Sequence, residues 1–146
     1  MSDEVPNRAN GANGKAQSYR DLLVWQKGIA LAKTSYKLTA GFPSEEKFGL
    51  ISQMRRAAVS VPSNIAEGQA RHMTGEFVLF ISHAEGSLAE LDTQLTLAAE
   101  LNFLTAAQAK PCADSISELR RMLNGLRRAV NGQKPVAPNS KLAARH

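Results

Sequence analysis

The chain has one cysteine, Cys112, which excludes an internal disulfide and a four-thiolate zinc site. Aromatic residues make up only 5% of it, too few for a protein organised around base-stacking platforms. No apolar run approaches the roughly 20 residues of a membrane helix. The polar residues 1–17 lack the apolar stretch of a signal peptide. One cysteine and no such segment fit a soluble protein of the reducing cytoplasm. The sequence also lacks an H-E-x-x-H motif, a Glu-x-x-His pair, a phosphate-binding Gly-rich loop and a nucleophile elbow. His83-Ala84-Glu85 matches the first half of a zinc-deaminase signature, but Pro111-Cys112 is followed by no second cysteine. These absences argue against an enzyme, and no catalytic residue, metal or cofactor is expected.

What is present points to helix. The 146 residues include 22 alanines and 16 leucines, enough for one domain with its own core. The net charge is +5 and the pI about 9.7, a balance that permits binding to a polyanion. Residues 1–17 set Arg8 and Lys15 against Asp3 and Glu4, whereas residues 132–146 carry Lys134, Lys141 and Arg145 with no acid. Both ends mix Asn, Gly, Pro and Lys and repay little ordering entropy. We therefore expect disordered tails at 1–17 and 132–146, the latter basic, around a bundle at 18–131.

Four helices fit the periodicity. The first spans Ser18 to Thr39, with Leu22, Trp25, Ile29, Ala32 and Tyr36 as its apolar stripe. The second spans Ser44 to Gly68, with Ser44 as N-cap and Pro62 expected to kink or interrupt it. The third spans Thr74 to Leu101 on Phe77, Ile81, Ala84, Leu88, Leu91, Leu95 and Ala98. The fourth follows a Thr105–Gln108 capping box and uses Ile116, Leu119, Leu123, Leu126 and Val130, with Pro111 obscuring its start. Short connections predict an all-α, antiparallel up-down-up-down four-helix bundle. Of the interior glycines Gly28, Gly49, Gly86 and Gly125, Gly86 beside Ser87 is the best candidate for close helix approach. Cys112 falls on the apolar side of the fourth helix and reads as core.

Three surfaces stand out. On the second helix Gln53, Arg56, Ser60, Ser63, Asn64 and Glu67 form either a solvated polar face or a hydrogen-bonded seam, since Ser and Asn are poor helix formers. On the third, Leu79, Leu97 and Leu101 share a side with His83 and Glu90, an alignment that suggests a partner surface. That helix is acidic, and stacked on basic neighbours around a ring it would give charge-complementary subunit contacts. On the fourth, Arg120-Arg121 and Arg127-Arg128 repeat two turns apart, either a solvated cationic face or a phosphate-contacting stripe.

The segments RRAAVSVPSNIAEG (55–68) and EFVLFISHAEGSLAELDTQL (76–95), with DLLVWQKGIALAKTSYKLTAGFP (21–43) upstream, resemble the four-helix-bundle proteins encoded in intervening sequences of large-subunit ribosomal RNA genes. That family includes the accessory variability determinant proteins of diversity-generating retroelements. The resemblance implies pentameric, barrel-like rings and, for the retroelement branch, association with a reverse transcriptase and its RNA. It places Arg56, Asn64, Glu67, Gly68, Gly86, Ser87 and Glu90 in the family's motifs, with structural or subunit-contact roles. The expectation is a ring-forming homo-oligomer, with subunit contacts at Arg56, Asn64, Glu67, Leu79, Glu90 and Leu97, that binds RNA or DNA or a nucleoprotein partner. Arg120, Arg121, Arg127 and Arg128 are the candidate phosphate contacts, on charge alone. The competing reading is a scaffold that binds protein only.

Overall fold

The apolar stripes assemble as four long helices in a computed structural model that describes residues 18–132. They are α1 (Leu23–Thr39), α2 (Leu50–Ala70), α3 (Thr74–Glu100) and α4 (Ala106–Asn131), with no strand among the described residues. The tails expected at 1–17 and 132–146 lie outside the described residues, except for Gly132. Gly132 closes α4, its N–H donating to the Arg128 carbonyl at 2.9 Å. None of the described helices is long and apolar enough to cross a membrane.

Each helix packs on its neighbour in sequence, and α4 closes the cycle on α1. Leu31, Met54, Ile65, Ile81, Leu88, Leu91, Ile116, Leu119 and Leu123 are fully buried along the middle. Each such side chain contributes about 1.5–3 kcal/mol by leaving water. The stripe of α3 is buried as its periodicity predicts, with Phe77 partly covered. In α4 Leu126 is partly buried and the rest of the stripe is core. Its start is settled despite Pro111: the Gln108 N–H donates to Thr105 Oγ1 at 3.1 Å, and the Thr105 N–H donates to Gln108 Oε1 at 2.8 Å.

The first two helices differ from the expectation. The stripe Leu22–Tyr36 is not the core face of α1. The buried row is Val24, Gly28, Leu31, Ser35 and Thr39, while Ile29 and Tyr36 are exposed. Both rows have helical spacing. The more polar one is buried because the Ser35 hydroxyl donates to the Leu31 carbonyl at 2.9 Å and that of Thr39 to the Ser35 carbonyl at 2.8 Å. A short 3-10 turn at Tyr19–Asp21 and an extended Leu22 precede α1, so the helix begins later than Ser18. Likewise Ser44 opens only a 3-10 turn, Ser44–Glu46, and does not cap α2. The Glu46 carboxylate does so, accepting the Leu50 N–H at 3.1 Å.

Pro62 does not interrupt α2, which runs through it unbroken. Its ring is buried opposite Gly28, where an added Cβ would lie 3.2 Å from Pro62 Cβ. The glycine makes room for the proline, and packing offsets the lost backbone hydrogen bond. Close approach therefore belongs to Gly28, and more strongly to Gly68, whose Cβ would stand 2.6 Å from Phe80 Cβ. Gly86 is open, with nothing within 4 Å of that position. His72 and Asn102 take left-handed backbone, φ 60° and 63°, in the links on either side of α3.

Candidate functional site

The four arginines of α4 divide into two pairs with different surroundings. Arg127 reaches across to α3, where Nη1 donates to Glu85 Oε2 at 2.8 Å, Nη2 donates to Glu85 Oε1, and Nη2 also meets Ser82 Oγ at 3.0 Å. This forked pair is three-quarters buried, and the Glu85 hydrogen bonds hold the guanidinium pKa above its ordinary value. Arg120 lies 3.7 Å from Asp92 with both side chains half exposed. Arg121 is exposed and donates to Ser117 Oγ at 3.0 Å. Arg128 is exposed with no ion pair among the described residues. Two arginines are thus committed to acids of α3, and two face outward.

The same pairs use acids of α3. Glu85 and Asp92 meet α4, and Glu76 lies 3.4 Å from Arg71, which also holds Glu67 at 3.0 Å. Glu90 Oε2 accepts from Gln94 Nε2 at 3.3 Å. The charge complementarity expected between subunits is in part satisfied within one chain. Leu79 and Leu97 on α3, and Leu101 directly after it, remain about half exposed. On α2 the polar arc is a mixture of seam and surface. The Ser60 hydroxyl bonds that of Ser87 on α3, whereas Asn64 and Ser63 bond back to the carbonyls of Ser60 and Val59.

Arg56 lines, with Ser60 and Ser63 of the same arc, an open cleft of about 650 Å³ on the α1–α2 face. Tyr36, Lys47, Phe48, Ser52 and Arg55 line it with Arg56. Phe48 is 89% exposed, the most exposed large apolar side chain among the described residues. Arg55 is fixed: Nε donates to Thr39 Oγ1 at 2.9 Å, Nη2 donates to the Tyr36 carbonyl at 3.2 Å, and its guanidinium lies 4.5 Å from the Tyr36 ring centre. Sequence reasoning missed Tyr36, Phe48 and Arg55 as surface residues. Tyr36 sat on a plausible core stripe. Phe48 carried a usable signal, a large apolar residue between Lys47 and Gly49 and outside every stripe.

Cys112 is core: its thiol is buried 4.0 Å from Ser35 Oγ, and burial pushes its pKa up, against the lowering by that contact. Among the described residues no group of three or more His, Cys, Asp or Glu is placed to hold a metal ion.

A family model for 23S rRNA-intervening sequence proteins matches residues 20–125, a span that includes α1 to α3 and most of α4. The chain belongs to that family. A solved member of the S23 ribosomal protein family, a protein of unknown function from Bacteroides thetaiotaomicron, has the same fold, with a TM-score of 0.65. The two share 21% identity over 72% of this chain and 98% of the other. No curated protein matches this intervening-sequence protein.

Proposed function

We propose that this chain is a non-enzymatic, cytoplasmic, antiparallel four-helix bundle that assembles as a ring-like homo-oligomer, a pentamer. It binds nucleic acid, or a nucleoprotein partner such as a reverse transcriptase, through basic surfaces. One observation carries the binding: cations outnumber the acids available to them at the surface. Lys33, Lys37, Lys47, Arg55, Arg56, Arg121 and Arg128 have no carboxylate partner among the described residues, and most are exposed. Helix direction is supported by the contacts. Along α2 from Ser60 to Gly68 the partner on α3 falls from Ser87 to Phe80, and along α3 from Glu85 to Asp92 the partner on α4 falls from Arg127 to Arg120. The ring is supported by the leucines of α3 and the family's resemblance.

The test is fluorescence anisotropy of labelled RNA and DNA over a salt series, with light scattering for mass. Affinity is expected to fall steeply with salt, because each neutralised phosphate releases counterions. Replacing Arg121 and Arg128 with Gln should weaken binding to unrelated sequences and flatten that slope while leaving the particle mass unchanged. An oligomer that binds neither polymer at low salt would instead be a protein-only scaffold.

A further inference from the structure

We propose that the cleft between α1 and α2 binds a single-stranded polynucleotide. An unpaired base stacks on Phe48 and Tyr36, and Arg55 and Arg56 hold the neighbouring phosphate. This rests on the nucleic-acid reading and adds the location and the state of the strand. Three features carry it. The ring of Phe48 stands in water at 89% exposure, and Lys47 Nζ sits 5.6 Å from its centre. The Tyr36 ring, 45% exposed, already carries the Arg55 guanidinium at 4.5 Å. That guanidinium is positioned before any ligand arrives, because two of its five N–H donors are tied to α1. The remaining donors are available to an anion, and preorganisation lowers the entropic cost of binding.

The lining contains Lys47, Arg55 and Arg56 and neither Asp nor Glu, so its charge is complementary to a phosphate chain. Ring faces beside forked cations match a base joined to a phosphate. A duplex presents base edges rather than faces, which is why an unpaired strand is the occupant. The small number of aromatics in the chain is no obstacle, since one exposed ring at a basic opening supplies a stacking surface.

The experiment compares labelled oligo(U), oligo(dT) and a duplex RNA of equal length by anisotropy, using the full chain. Phe48→Ala should weaken binding of the single strands about tenfold and leave the duplex affinity unchanged. Phe48→Trp should restore binding, and the introduced indole should lose fluorescence as oligo(U) is added. The oligo(U) and oligo(dT) arms show whether the strand is RNA, DNA or either. Unaltered single-strand binding by Phe48→Ala overturns the cleft while leaving nucleic-acid binding intact. A fall in particle mass on Phe48→Ala also overturns it, assigning the cleft to a second copy of the chain. Displacement of oligo(U) by polyglutamate as readily as by unlabelled oligo(dT) assigns it to an acidic polypeptide. A wild-type chain that binds none of the probes at low salt removes this inference and the broader reading together.

Discussion

At Gly68 an added Cβ would stand 2.6 Å from Phe80 Cβ, an atom fixed close to its own backbone. Gly68→Ala must therefore move a helix, and should destabilise the fold by about 1–3 kcal/mol. Gly86 has open space at the same position, so Gly86→Ala should raise stability by up to about 1 kcal/mol. Urea denaturation of the two variants, followed by circular dichroism, should shift the midpoint in opposite directions. Cys112 makes a pH-dependent contribution. Its thiol is held protonated by burial, so its folded pKa lies above the unfolded value. Below the ordinary thiol pKa both states are protonated and the contribution is constant. Above about pH 8.5 the unfolded chain loses that proton first. Stability should then decline as pH rises, and Cys112→Ala should remove that part of the decline in denaturation curves taken at successive pH values.

Between elements, the α3–α4 contact joins a forked pair and a looser one. A double-mutant cycle on Arg127→Gln and Glu85→Gln should give a coupling of about 1 kcal/mol or more, because the pair is mostly buried and bidentate. The cycle on Arg120→Gln and Asp92→Asn should give close to zero, since both partners are half exposed at 3.7 Å. The arginines were legible in the sequence, but the partner of Arg127 lies 42 residues away, a separation no local pattern encodes. The same limit divides the helices. The stripe of α3 runs at alternating spacings of four and three from Phe77 to Ala98, whereas its second apolar set, Leu79, Leu97 and Leu101, leaves the middle of the helix bare, so periodicity alone finds its buried side. In α1 the rival row carries Ser35 and Thr39, and only their hydrogen bonds to the preceding turn make it the better one to bury. The start of α2 meets the same limit: Gly49 is its N-cap residue and brings no side chain, and the Glu46 carboxylate accepts the Leu50 N–H from within a preceding turn that the sequence does not announce.

For the whole molecule, the leucines of α3 are the exposed apolar set that a neighbouring subunit would cover. Leu79→Lys combined with Leu97→Lys should dissociate the proposed ring in light scattering while helical circular dichroism is kept, since both side chains are about half in water within one chain. Loss of helicity would instead show that folding depends on assembly. The candidate cleft was the least legible feature of the molecule. It joins Tyr36 of α1, Lys47 and Phe48 of the link, and Arg55 and Arg56 of α2, and it exists only once those segments pack. A ring would repeat both the cleft and the outward arginines in every subunit, so weak contacts to one long strand would add through effective concentration.

The contact between Gly68 and Phe80 is unequal in what it permits during descent. The obstructing atom at position 80 is Cβ, which every residue except glycine possesses. Exchanging the phenyl ring for another side chain therefore cannot relieve a side chain at position 68. In a library that randomises both sites and selects for folded protein, position 80 should accept a range of side chains, while position 68 should return glycine wherever any residue other than glycine stands at position 80. A lineage of such proteins can drift at one end of this contact for as long as it stays still at the other.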